Sequence, residues 1–288
     1  MEPVPVVLFA YARPAHLRRT LACLRENAVP RILAYADAPR TPAQREAVDE
    51  VRGILRAVDW TELTLVERKE NLGLGVSILT GVEAALAEHQ AVLVFEDDLE
   101  CVPGTYAYLC AALEAYRDDP AVMSVTGWTH PRTTPRGVET PYFDGRAESW
   151  TWGTWRRAWK RMDRGASDLL LDCERKGIDP YRYGKDLVQM AAIERKRNLW
   201  AVRWLYQHIL HGGLCLRPPR SLVNHFGLGE GATNAGAAFE WTVPELLPCP
   251  PLPPVWPRAV EHPDCARLWR EAYGEAGTIR RLVDRLLR

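Results

Sequence analysis

The apolar run Val92-Leu93-Val94-Phe95 leads directly into Glu96, Asp97 and Asp98, with Glu100 just beyond Leu99. Carboxylates delivered by the C-terminal end of a buried strand are hard oxygen ligands. They lie in the crevice where open α/β sheets bind their substrates. Asp97 and Asp98 are the leading candidates to hold Mg2+ or Mn2+ against a phosphate, with Glu96 beside them. The same stretch also reads as the start of the next loop and helix, with Glu100, Pro103 and Gly104 as start signals.

Four further groups of residues have types suited to chemistry. Asn71-Leu72-Gly73-Leu74-Gly75, preceded by Arg68, joins a strand to a helix. Its glycines would let backbone amides approach a phosphate, or would make a tight turn. Asp37 ends another strand, as a ligand contact or as a turn or capping acid. Trp150, Trp152, Trp155 and Trp159 crowd into ten residues. Trp155 and Trp159 suit a core, and Trp150 or Trp152 a wall beneath a sugar ring. The glycine-rich segment from Asn224 to Asn234 reads as a loop closing over a nucleotide. Its His225 is either a ligand to metal or phosphate, or a structural histidine.

The elements positioning these residues follow from periodicity. Val4 to Ala12 reads as a strand, followed by a helix through Leu17, Leu21 and Leu24. Ile32 to Ala36 and Leu63 to Glu67 are strands two and three, separated by a helix within Thr41 to Val58. Ser77 to Glu88 is the next helix, and Val92 to Phe95 the fourth strand. Strands alternating with helices predict a parallel sheet covered on both faces. A helix over about 104–117 and a strand over 122–127 follow, after which the alternation fails. Residues 129–147 read as a mobile loop, about 185–212 as a helical section with Trp200 and Trp204 on one face, and Pro244 to Pro257 as an extended tail. About Pro263 to Arg288 reads as a helix with a basic face.

Composition narrows the function classes. The 288 residues are 47% hydrophobic, ample for a core, and 37 basic residues balance 37 acidic ones, which gives no reason to expect a nucleic-acid partner. Seven cysteines are scattered singly without a CxxC pair, which predicts reduced thiols and a cytoplasmic protein. No run approaches the roughly 20 apolar residues that cross a bilayer.

Taken in order, Tyr11-Ala12-Arg13-Pro14, Tyr35-Ala36-Asp37, Asn71 to Gly75 and Glu96-Asp97-Asp98 resemble a GT-A fold glycosyltransferase. The closest resemblance is to family 2-like bacterial transferases and, in Glu96 to Glu100, to the N-acetylglucosaminyltransferase I family. It continues through Trp150 to Trp155, Trp200 to Trp204 and Ser221 to Gly227, spanning about residues 5–235.

The resemblance implies an α/β, Rossmann-like GT-A fold with a mostly parallel central sheet flanked by helices. It implies one large domain over 1–243, with a nucleotide-sugar half (1–127) and an acceptor-side half with its closing loop (128–243). A proline-rich segment and C-terminal helix would occupy 244–288. Arg13 and Asp37 would lie at the nucleotide end of the donor pocket with Asn71 and Gly73, Glu96 and Asp97 would contact ribose or sugar, and Asp98 would coordinate Mn2+ or Mg2+. His225 is the second metal candidate and Trp152 a donor-pocket candidate.

The chain departs from related sequences at the base. Those often carry an acid just before the Trp-Ala-Val-Arg-Trp-like helix, where this chain has Arg197-Asn198-Leu199. Glu148, which borders the tryptophan cluster, then leads Asp186 and Glu194 as candidate base.

The implied activity is inverting transfer of a hexosyl or N-acetylhexosaminyl group from a UDP-sugar to a hydroxyl of a glycan, glycolipid or other acceptor, as in polysaccharide biosynthesis. The alternatives are a sugar nucleotidyltransferase and a noncatalytic nucleotide-sugar or glycan-binding module. The basic terminal helix suggests weak association with the inner face of a membrane.

Overall fold

The computed structural model describes residues 3–160, 162–197, 199–227, 245–250 and 252–274. Its first half follows the alternation in the sequence: β1 (Val6–Ala10), α1 (Pro14–Glu26), β2 (Arg31–Ala36), α2 (Arg45–Arg56), β3 (Glu62–Glu67), α3 (Gly73–Glu88) and β4 (Ala91–Glu96). Every residue of β1 is buried, so water cannot satisfy its backbone and both of its edges are paired: β1 runs parallel to β2 and to β4, and β2 parallel to β3.

Period-two alternation divides β1 and β4 between two cores. Val7, Phe9, Val92 and Val94 join the core containing Ile78 and Val82 of α3. Val6, Leu8, Leu93 and Phe95 join the core containing Leu17, Leu21 and Leu24 of α1 and Leu55 of α2. The sheet is therefore covered on both faces and its chemistry is confined to the strand ends.

The second half is built from β5 (Leu99–Cys101), α4 (Thr105–Ala115), β6 (Val122–Thr126), β7 (Tyr142–Asp144), β8 (Trp152–Trp155), α5 (Ala166–Arg175), α6 (Asp186–Arg197), α7 (Ala201–His211), β9 (Leu214–Arg217), β10 (Val223–His225) and α8 (Cys265–Tyr273). The eight-stranded sheet has the order β3-β2-β1-β4-β8-β6-β9-β7. β8 lies antiparallel between β4 and β6, and β7 is antiparallel to β9. A separate ribbon pairs β10 antiparallel to β5, with His225 opposite Leu99.

Several elements differ from the sequence expectation. Residues 129–147 are not a mobile loop: they contain β7, and Thr129, His130, Thr133, Asp144 and Arg146 are buried. Buried charge holds the segment: Arg217 Nε lies 2.9 Å from Asp144 Oδ2 and Arg217 Nη2 donates to the Arg146 carbonyl at 2.8 Å. The helical section over 185–212 divides into α6 and α7, and both Trp200 and Trp204 pack on Trp152, with ring centroids 5.7 and 5.3 Å away.

Leu247 of the proline-rich segment donates its N–H to the Ser221 carbonyl at 2.8 Å, and Trp256 packs against Tyr108 and Tyr116. α8 docks through Trp269, 2% exposed, whose Nε1 donates to Asp144 Oδ2 at 2.8 Å. Among the described residues no helix is long and apolar enough to cross a membrane.

Candidate functional site

The ends of β1 and β4 meet beside the β5–β10 ribbon, and their polar residues converge there. The Tyr11 N–H donates to Asp97 Oδ2 at 3.0 Å. Arg13 Nη2 donates to Asp97 Oδ1 at 2.6 Å and to Asp98 Oδ2 at 2.7 Å. The Asp97 and Asp98 side chains are only 4% and 7% exposed, so this guanidinium is the cation that makes their burial tolerable. Burial still pushes Asp97 up to about 6 despite Arg13. Burial, reinforced by Asp98 and Asp97, also holds Glu96 well above the usual carboxylate range.

The ribbon brings a distant segment onto the acids. The Phe226 N–H donates to the Asp98 carbonyl at 3.1 Å, and His225 Nε2 stands 3.5 Å from Asp98 Oδ2. Burial lowers the His225 pKa, which favours the neutral imidazole with a lone pair available. Gly227 lies flat against the same carboxylate: a Cβ there would sit 2.1 Å from Asp98 Oδ2. His225 stacks on Trp150 with ring centroids 4.4 Å apart, and Trp150 meets Trp128 edge-on at 4.8 Å.

Thr151 follows with φ of +44°, a left-handed conformation that is strained for a β-branched residue. This bend separates Trp150, against His225, from Trp152, inside the core. Trp152 is 1% exposed and packs among Trp159, Trp200 and Trp204, so it has no surface to offer a sugar.

Two buried atoms near the acids have no hydrogen-bond partner, Asp98 Oδ1 and His225 Nδ1. Asp98 Oδ2 and His225 Nε2 stand 3.5 Å apart with the unpartnered Asp98 Oδ1 on the same carboxylate, a donor set that fits a divalent cation whose remaining positions would go to diphosphate and water. Among the described residues, no three or more His, Cys, Asp or Glu side chains gather as a self-sufficient metal site.

The other sequence candidates take distinct places. The Asp37 carboxylate accepts the N–H groups of Ala38 and Leu72 on Oδ1, at 3.0 Å each, and of Gly73 on Oδ2 at 2.9 Å. Asn71 Nδ2 donates to the Ala38 carbonyl at 2.7 Å. Asp37 therefore braces the Asn71–Gly73 turn, where Gly73 has φ of +70°.

Glu148 lies two residues before Trp150, with Oε1 accepting the Ser149 N–H at 2.9 Å and Oε2 3.3 Å from Arg217 Nη1. Burial raises its pKa, opposed chiefly by Arg217. Asp186 forms a two-pronged pair with Arg146 at 2.7 and 3.2 Å. Glu194 accepts the Ala166 N–H at 2.9 Å and pairs with Arg203, so it ties α5 to α7 in the interior. The site thus unites Arg13, Glu96, Asp97, Asp98 and His225, leaves Glu148 on Arg217 two residues from Trp150, and leaves Trp152, Asp186 and Glu194 with other partners.

Sequence reasoning missed Arg217, Gly227 and Trp128. Only Gly227 carried a signal, its place in the glycine-rich run after His225. Arg217 sits in an unremarked Leu216-Arg217-Pro218-Pro219 and gains its importance from burial alone.

Solved structures with some likeness include a mannosyltransferase from Pyrobaculum calidifontis in complex with GDP-Man and Mn2+, 19% identical, with a TM-score of 0.41 over 60% of this chain and 51% of that one. The chain thus spans about half the length of that protein. Others are HddC from Yersinia pseudotuberculosis complexed with GMP-PN (12% identity, 54% of this chain and 77% of that one, TM-score 0.35) and 4-diphosphocytidyl-2C-methyl-D-erythritol synthase from Anaerococcus prevotii (12%, 62% and 78%, 0.33). No curated protein matches the sequence significantly. The sequence profile described as Glycosyl transferase family 2 matches residues 6–198, and the chain belongs to that family.

Proposed function

We propose that the protein is an inverting, metal-dependent glycosyltransferase that moves a hexosyl or N-acetylhexosaminyl group from a nucleoside diphosphate donor, UDP first among them, to a hydroxyl acceptor. Membership of glycosyl transferase family 2 supports the reaction class. The observation that carries the reading is the buried Asp97–Asp98 pair at the end of β4, neutralised by Arg13 and faced by His225.

In this reading Asp98 and His225 hold the cation, Mn2+ or Mg2+. Bound there, it would neutralise charge developing on the departing diphosphate. Arg13 supplies guanidinium donors matched to phosphate oxygens. The Asn71–Gly73 turn, braced by Asp37, presents backbone beside the nucleotide end. Trp150, half-buried and backed edge-on by Trp128, forms the apolar wall on the acceptor side.

Glu148 is the proton acceptor for the acceptor hydroxyl, and its raised pKa makes it a stronger base than an ordinary glutamate. A glycan, glycolipid or other glycoconjugate is the acceptor class.

Replacing Asp98 by Ala tests the assignment. Turnover of a nucleotide sugar in Mn2+, followed by nucleoside diphosphate release, should fall about 100-fold or more while the circular dichroism of the fold is retained. Full activity in that variant would remove the metal assignment.

A further inference from the structure

Arg13 is attached to the two acids through a single nitrogen. Its Nη2 is 2.6 Å from Asp97 Oδ1 and 2.7 Å from Asp98 Oδ2. Asp98 Oδ2 is also the oxygen nearest His225, 3.5 Å from Nε2. Asp98 Oδ1 has no hydrogen-bond partner, whereas Oδ2, the oxygen that faces His225, is the one the guanidinium already uses. Mg2+ binds oxygen at about 2.0–2.1 Å, so an ion there would share one oxygen with a second positive charge.

The two partners of this contact differ in freedom. The Asp98 side chain is 7% exposed and packed under Gly227, whereas the Arg13 side chain is 25% exposed. Arg13 occupies the N-cap position of α1 and its side chain makes no capping hydrogen bond. It can therefore leave Asp98 without disrupting α1 and remain on Asp97.

We propose that Arg13 is a gate on the metal position: it neutralises Asp98 before the donor arrives and yields that oxygen when the cation enters with a nucleoside diphosphate. The inference rests on the donor-site reading above. It explains how the cation and nucleotide would enter together. A cation alone strips Arg13 of one partner, whereas a diphosphate returns one, because the freed guanidinium N–H groups can donate to its oxygens. The sign of one substitution separates this from a bland role. An arginine that only holds the acids in place strengthens metal binding, and an arginine that competes weakens it.

Mn2+ binding to the full chain, followed by the electron paramagnetic resonance signal of the free ion, tests the gate with MnCl2 alone and with UDP added. Arg13→Gln should bind Mn2+ without UDP about tenfold more tightly than wild type, equivalent to about 1.4 kcal/mol. Its gain from added UDP should be smaller. Arg13→Lys keeps a positive charge beside the acids but not the planar fork. It should shift the same way by a smaller factor, and it decides the question if Arg13→Gln does not fold. Asp98→Asn should lose Mn2+ binding under both conditions. Equal or weaker Mn2+ binding in the Arg13 variants, with Asp98→Asn still deficient, would overturn the gate and leave the donor site standing. Wild-type Mn2+ binding by Asp98→Asn in the presence of UDP would remove the donor site and the gate together.

Discussion

Glu148 combines a raised pKa, set mainly by burial, with a place two residues from the tryptophan that stacks on His225. A carboxyl must be ionised to accept a proton, so activity should fall as pH drops through its pKa. Because that pKa lies above the ordinary glutamate value of about 4.3, the acid limb of the kcat/KM profile should lie above that value too. Glu148→Gln should lower kcat/KM by about 100- to 10,000-fold and abolish this limb, as a pH-rate series would show. An unchanged limb would exclude Glu148 as the base. At this scale the acids were legible in the sequence because an apolar strand ending in carboxylates is a local pattern. The pairing of Arg13 with them joins positions 84 and 85 residues apart and leaves no local trace. Trp152 was misplaced among donor-pocket residues because spacing cannot distinguish a pocket wall from a core once the strained Thr151 turn intervenes.

The β5–β10 ribbon depends on three-residue strands, and it turns the acidic strand end into a site. Strands of three or four residues are too short to show a period, and β5, β7, β8, β9 and β10 escaped the sequence reading for that reason. The four long parallel strands were readable because the helices α1, α2 and α3 separate them. At the ribbon's end, Gly227 leaves no room for a side chain beside Asp98, with atoms 2.1 to 2.6 Å from a notional Cβ. Gly227→Ala should push the Asp98 carboxylate away and weaken Mn2+ binding in the presence of UDP by about tenfold or more, with little change in melting temperature. Calorimetric titration measures the first and a thermal scan the second. Wild-type affinity would show that the ribbon only covers the acids.

The whole molecule joins a parallel half to a mixed half at β8. The mixed half is held by a buried charge network rather than by apolar contacts alone. Arg217, 1% exposed, is paired with Asp144 and Glu148, and Arg146 with Asp186. α8 covers this network, with the Arg146 guanidinium 4.1 Å from the Trp269 ring centre. Trp269→Ala should therefore cost about 3–5 kcal/mol, measured by denaturant unfolding, because it opens a cavity and removes the Asp144 hydrogen bond together. A loss below about 1 kcal/mol would show that α8 adds little to the body. Composition and periodicity revealed the sheet class, but long-range charge pairing made 129–147 structured and is invisible to both. The donor-site assignment as a whole is tested most directly by incubating the protein with a panel of nucleotide sugars, Mn2+ and hydroxyl acceptors and identifying the released product. A glycosyltransferase using Asp98 releases a nucleoside diphosphate, and the Asp98→Ala variant does not. Release of pyrophosphate, or unchanged product in the variant, would contradict it.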